Sequence, residues 1–119
     1  MPQTLQTGKK GEEEAMAFLR GEGYKILHTN WRYKHLEIDI IAQNDEFLVI
    51  VEVKTRKNAD FGKPETFVTK SKQQKIIRAT HEFVQQYGIE KEIRFDIISI
   101  NNAAKQIEHI KRAFYPSLK

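Results

Sequence analysis

Residues 37–56 read EIDIIAQNDEFLVIVEVKTR, and the rest of the chain is arranged around this stretch. It holds two β-like runs, 37–42 and 47–54, parted by the turn-forming Gln43-Asn44-Asp45-Glu46. Side chains alternate along a strand, so Phe47, Val49, Val51 and Val53 share one face of the second run, and Leu48, Ile50, Glu52 and Lys54 share the other. A strand apolar on both faces sits centrally in its sheet. Glu52 and Lys54 therefore emerge at the end of a buried element, where an uncompensated charge is costly.

Hairpin arithmetic supplies a compensation. If the turn centres between Asp45 and Glu46, Asp39 lies opposite Glu52, with Cβ atoms about 5 Å apart. If it centres on Asn44-Asp45, Asp39 faces Ile50 and stays diagonal to Glu52. Both registers keep Asp39, Glu52 and Lys54 on one face, and a one-residue slip would turn the wrong side chains inward. Two carboxylates this close repel each other unless one is protonated or a cation lies between them. Hard oxygen donors suit Mg²⁺ or Mn²⁺, so the hairpin predicts a divalent-metal site with a lysine beside it.

Working outward, 119 residues with 39% hydrophobic and 30% charged content fit a single globular domain. No apolar run approaches the ~20 residues of a membrane helix, and MPQTLQTGKKGEEEA has no apolar signal core. These features predict no membrane partner. The absence of cysteine excludes disulfides and thiolate zinc sites and fits a reducing cytoplasm. A net charge of +4 permits a nucleic-acid partner without requiring one.

Residues 1–7 are polar and expected to be disordered. Residues 8–20 read as a helix with Ala15, Met16, Phe18 and Leu19 as its apolar residues, closed by Gly21 and Gly23. Helical geometry puts Glu12 between Met16 and Leu19 on the buried stripe. Near a helix start it is either a first-turn acid complementing the dipole or a site acid aimed inward. Residues 24–32 form the first expected strand, in which Trp31 packs and Asn30 and Arg32 brace the strand end or meet a ligand. His28 and His35 have no partner at metal-ligand spacing. Residues 55–69 form a long loop made basic by Arg56, Lys57 and Lys63, and loops of that length in small domains are functional or mobile. Ser71 opens a second helix with Gln74 as its capping-box partner. Its stripe is Ile76, Ala79, Thr80, Phe83 and Tyr87, widened by Ile77 and Val84, and Gly88 ends it. Lys72 falls on the core side at the start of that helix, where it opposes the dipole and calls for an anionic partner. Lys70, Lys75 and Arg78 add a basic edge. Residues 93–100 form a further strand in which Arg94 and Asp96 share a face and can pair with each other or with Arg32. Residues 107–114 can form an edge strand. The order predicts an α/β fold with a mixed sheet of four to five strands and two main helices.

The spacing of Asp39, twelve residues, then Glu52-Val53-Lys54 matches the D…(D/E)xK pattern of restriction-endonuclease-like nucleases. Around it stand Gly11-Glu12 with Ala15, Gly23-Tyr24, Asn30 with Arg32, Glu37-Ile38-Asp39, Val51 through Arg56, Phe61-Gly62 with Pro64, Val68, Lys72 and Arg94-Phe95-Asp96. Over residues 8–100 this series resembles the YraN family of small bacterial proteins, which is grouped with archaeal Holliday-junction resolvases in the PD-(D/E)xK superfamily. The position before Glu37, usually glycine in that family, is Leu36, which predicts a different path for the preceding loop.

The resemblance implies a restriction-endonuclease-like fold with Asp39 and Glu52 as ligands of Mg²⁺ or Mn²⁺ and the Val53 carbonyl as a third protein oxygen. Lys54 would orient or deprotonate water or stabilise charge on the phosphate. Glu12 would act as the helix-one acid, and Glu37 is the next candidate ligand. Lys72, Arg56, Lys57, Lys63, Lys75 and Arg32 would hold phosphates of DNA. Three functions stand open: a metal-dependent endonuclease acting on DNA, including branched or junction DNA; a nucleic-acid- or partner-binding module without catalysis; and a purely structural ion-pair cluster. Paired cuts at a junction would call for a homodimer.

Overall fold

The computed structural model describes residues 3–56 and 68–116. Within them the chain runs α1 (Gln3–Gly21), β1 (Lys25–Tyr33), β2 (Leu36–Gln43), β3 (Phe47–Arg56), α2 (Lys70–Tyr87), β4 (Glu92–Asn101) and β5 (Gln106–Phe114). The strands form one sheet in the order β1-β2-β3-β4-β5. Neighbours are antiparallel except β3 and β4, which run parallel. A parallel pair needs a crossover, and α2 lies on it. The expected α/β class, with a mixed sheet and two flanking helices, is met.

β3 is the central strand, and its two apolar faces feed two cores. Phe47, Val49, Val51 and Val53 join Ala15 and Leu19 of α1. Leu48 and Ile50 join Ile76, Ala79 and Phe83 of α2. The alternation read from the sequence is thus the alternation of the fold. α1 can sit low on the sheet because Gly11 has no side chain: a Cβ there would collide with the Thr55 hydroxyl.

Several boundaries differ from those expected. The helical backbone of α1 begins at Gln3, ahead of Gly8, since residues 3–7 contain neither glycine nor proline to stop it. α2 is capped two residues earlier than Ser71 suggested. Thr69 is its N-cap, extended in backbone and accepting the Lys72 N–H at 3.1 Å. Gly88 closes it in the left-handed conformation at φ 61°. β3 continues through Thr55 and Arg56, residues first assigned to the loop. Leu36 is buried and pairs with Tyr33 across the Lys34-His35 turn, so the left-handed residue falls at Lys34 (φ 57°). The Phe61–Pro64 turn, Lys57 and Lys63 lie outside the described residues.

Arg94 and Asp96 pair with each other rather than with Arg32, and they do so in the α1-side interior. Asp96 is fully buried and receives Arg94 Nε at 3.0 Å, Arg94 Nη2 at 2.9 Å, His109 Nε2 at 2.7 Å and the Arg112 N–H at 3.1 Å. Arg94 also donates to the Tyr24 hydroxyl and lies 5.0 Å over the Phe47 ring. The register of β4 and β5 shifts opposite Asp96, between Phe95 and Ile97. There Arg112, at φ 54°, turns its N–H inward. Burial would raise the Asp96 pKa, but hydrogen bonds from His109, Arg94 and the Arg112 amide outweigh it and hold the carboxyl below its usual range. Its contribution to stability is present above the ordinary carboxylate pKa and is lost as pH falls through the lowered value. Asp96→Asn leaves Arg94 buried beside a neutral partner and is expected to cost about 3–5 kcal/mol in urea unfolding. Wild-type stability in that variant would show that the clasp does not hold β5.

Candidate functional site

β2 and β3 are zipped from Gln43↔Leu48 to Ile40↔Val51, which is the register that sets Asp39 against Glu52, and there the ladder stops. Along β2, Ile38 and Ile41 both enter the α2-side core, whereas Ile40 and Ala42 enter the other. Strict alternation therefore breaks at Asp39-Ile40. Beyond this point the Val53 N–H donates to Asp39 Oδ2 at 2.9 Å. A side chain has taken the place of a ladder carbonyl, and the two strands part around it.

Glu52 is 5% exposed at the mouth of this opening. Its Oε2 lies 3.5 Å from Lys72 Nζ and 3.8 Å from Lys54 Nζ. The start of α2 thus delivers Lys72 to the anionic partner that its position required. The Asp39 and Glu52 carboxyls are close enough that the charge of Asp39 makes it harder for Glu52 to ionise. Burial and the Asp39 charge push Glu52 up to about 7 despite Lys72 and Lys54. Burial likewise raises Asp39, opposed by the Val53 amide and Lys72 and reinforced by Glu37.

α1 contributes Glu12. Its carboxylate accepts from Asn30 Nδ2 at 3.1 Å, and the same nitrogen donates to Glu37 Oε2 at 3.1 Å. Asn30 adopts the left-handed conformation at φ 49°, which asparagine tolerates better than most residues. Desolvation raises the Glu12 pKa, the Asn30 bond lowers it, and Asp39 and Glu37 raise it again. Four acids therefore gather at one end of the sheet.

Arg32 pairs with Glu37 at 3.8 Å on the exposed rim. Lys75 lines a shallow cavity of about 400 Å³ with Ser71, Gln74 and Arg78 on the outer side of α2. Arg56 ends β3, and its carbonyl accepts the Asn102 N–H. Val53, expected to offer its carbonyl, is tied in through its amide. His28 packs its ring on Phe83 and Tyr87, each 5.4 Å away, as a packed histidine would. Ser99, which the sequence did not single out, pairs with Lys54 in the parallel register. Its hydroxyl is buried without a hydrogen-bond partner among the described residues. No period-2 pattern could have shown this pairing, because it depends on the neighbouring strand.

The donor set fits a hard divalent cation. It consists of carboxylate oxygens, and the Asp39 and Glu52 carboxyls repel each other when both are ionised. Among the described residues no three acidic or histidine side chains form a ready-made metal cage. Mg²⁺ does not need one, since it is commonly held by one or two carboxylates and keeps several waters.

The family model described as uncharacterised protein family UPF0102 matches residues 11–100. The chain belongs to the UPF0102 family. A UPF0102 protein of Flavobacterium psychrophilum is 49% identical over 110 residues, covering 91% of this chain and 92% of the relative. One from Bacteroides thetaiotaomicron is 44% identical over 120 residues, covering 99% of each. One from Thermodesulfovibrio yellowstonii is 45% identical over 111 residues, covering 93% and 97%. The resemblance read from the motif series is borne out as family membership. The UPF0102 description states no activity. No helix among the described residues is long and apolar enough to cross a membrane.

The acid pair makes a pH prediction. In the unfolded chain both groups ionise near their ordinary values of about 4, whereas the fold holds the proton more tightly. The stability this contributes is present at low pH and is lost as pH rises through about 7. In EDTA, Tm should fall between pH 5.5 and pH 8, and Mg²⁺ or Mn²⁺ should restore it at pH 8. Asp39→Asn, which can keep the Val53 bond but removes the repulsion, should raise the metal-free Tm at pH 8. A lower Tm in that variant would mark the cluster as a stabilising ion-pair network instead.

Proposed function

We propose that this UPF0102 protein is a divalent-metal-dependent nuclease that hydrolyses phosphodiester bonds in DNA. The observation that carries the reading is the Asp39–Glu52 pair. Two partly buried carboxyls face each other at the point where the central strands separate, with Lys54 and Lys72 on the same carboxylate. Such an arrangement is unfavourable for a protein that uses it only as structure.

Asp39 and Glu52 would hold Mg²⁺ or Mn²⁺, with Glu12 brought to the same end of the sheet by Asn30. Bound there, the cation would supply Lewis-acid polarisation and charge neutralisation. Asn30 keeps Glu12 and Glu37 oriented through one nitrogen. Glu52 would hold the cation as a carboxylate, and Lys54 and Lys72, now 3.8 and 3.5 Å from its Oε2, would then share its charge less. Lys54 Nζ can hold or pass a proton at the attacked phosphate and offset charge developing there. Lys72 and the Lys75–Arg78 edge would steady the flanking phosphates, with Arg56, Lys57, Lys63 and Arg32 as further contacts. A cytoplasmic setting suits a cysteine-free chain with this substrate. Cutting a junction symmetrically would take two copies.

A second reading, binding of nucleic acid without turnover, draws on one observation. Both lysines are engaged by Glu52, and no closed cage stands ready among the described residues. The two readings separate when labelled four-way junction, flap, duplex and single-stranded DNA are incubated with Mg²⁺, Mn²⁺ or EDTA. Cleavage should require metal and fall at least ~100-fold in Asp39→Asn and in Lys54→Ala. Salt-sensitive binding with no cleavage of any substrate would establish the binding module and exclude the nuclease.

A further inference from the structure

On the other side of α1 from the acid cluster lies a cavity of about 520 Å³. Its floor is Ile100 and Ile107, register partners on β4 and β5. Ile107 is 37% exposed, an uncommon state for a large apolar side chain in this fold. Asn102 and Gln106 supply amides at the rim, and Lys10 and Lys105 supply cations. Neither lysine has an ion-pair partner among the described residues. The hairpin tip is set by the Ala104 N–H bond to Asn101 Oδ1 and by Lys105 in the left-handed conformation at φ 53°.

α1 divides the two sites. Lys10 and Glu14, one turn apart, both line the cavity. Glu12 lies about 200° round the helix from each and faces Asn30. The cavity is therefore displaced from the acid cluster by roughly one helix diameter, about 10 Å. A strand joining the two has to pass round α1, so the separation along it is at least about three base steps at ~3.4 Å each.

We propose that this cavity binds an unpaired nucleotide of the strand whose backbone occupies the acid site. The base lies on the Ile100–Ile107 floor and its phosphate sits between Lys10 and Lys105. Amide groups carry both donors and acceptors, so Asn102 and Gln106 can meet the edge of any base. A base within a duplex is stacked on both faces and paired at its edge, and it cannot enter without being unpaired. The site therefore assigns the substrate class as nucleic acid with a single-stranded stretch a few nucleotides from the position of cleavage. This rests on the nuclease reading for the identity of the neighbouring site, but the cavity can be tested without cleavage.

The test is a set of amide chemical-shift titrations of ¹⁵N-labelled protein in EDTA, with pentathymidylate, a blunt duplex or thymidine monophosphate as probe. Pentathymidylate should shift Lys10, Asn102 and Lys105 to Ile107. The Lys10→Glu, Lys105→Glu double variant should weaken its binding about tenfold and leave duplex affinity within about twofold. Ile107→Ser, checked for an unchanged melting temperature, should weaken pentathymidylate without altering the charge. Shifts that avoid these residues, or equal losses for duplex and single strand, overturn the proposal. Equal affinity for thymidine monophosphate and pentathymidylate also overturns it, by assigning the cavity to free nucleotides. Metal-dependent cleavage that needs Asp39 but ignores the Lys10 and Lys105 charges would remove the cavity and keep the nuclease. Shifts at the cavity with no cleavage of any substrate would do the reverse.

Discussion

The hydrogen bond from the Val53 amide to the Asp39 carboxylate, at 2.9 Å, marks where the β2–β3 ladder gives way to an opening lined with charge. Below it, apolar side chains on both faces of β3 drive the burial that stabilises the domain. Above it, the strands part, and the side chains at the opening are charged. Had the ladder continued, Asp39 and Glu52 would face each other in a closed hairpin with little room for a ligand. The side chain that breaks the ladder also satisfies the amide that the break leaves over, so the opening carries no orphaned donor at Val53.

Both helices serve the opening as well as the core. α1 packs closely because Gly11 lets it meet Thr55, and this brings Glu12 within reach of Asn30. α2 is capped by Thr69, and its first turn carries Lys72 to Glu52. A lysine near a helix N-terminus is locally unfavourable, and the buried carboxylate offsets that cost. The interior beneath α1 contains the other concentration of charge, the Arg94–Asp96–His109 clasp. The two differ in kind. Asp96 is surrounded by donors, whereas Glu52 and Asp39 have more acid nearby than base can neutralise. The first arrangement is satisfied within the fold, and the second retains a surplus of negative charge.

Much of this was legible in the sequence because β3 obeys a period of two without interruption, which gave its faces and its central place and left two registers against β2. Asp39, Glu52 and Lys54 followed because both registers put them on one face. Lys72 followed from the α2 stripe, although its partner did not. Other features depend on breaks in periodicity. Asn30 bridges two acids from a left-handed backbone, and no alternation pattern encodes that. His109 reaches Asp96 across a shifted register between two strands, a long-range contact that local pattern cannot supply. Thr69 and Ser71 are equally plausible caps, and Gln74 favoured the wrong one because a capping box is a local signal blind to where the chain enters the helix.

The irregularities of the two outer strands have a consequence for the molecule's life in a crowded solution. Among the described residues β1 and β5 each have one unpaired edge, and each contains a non-glycine residue with positive φ, Asn30 and Arg112. Each also has a register shift against its neighbour. A sheet whose middle strand reads FLVIV is a hazard for cross-β aggregation if a straight edge is offered to another chain. Here the kinked borders make poor templates for strand addition, and Lys111 and Arg112 place like charge along one of them. The distortions that aim Asn30 and the Arg112 amide at their carboxylates therefore also act as a guard against polymerisation.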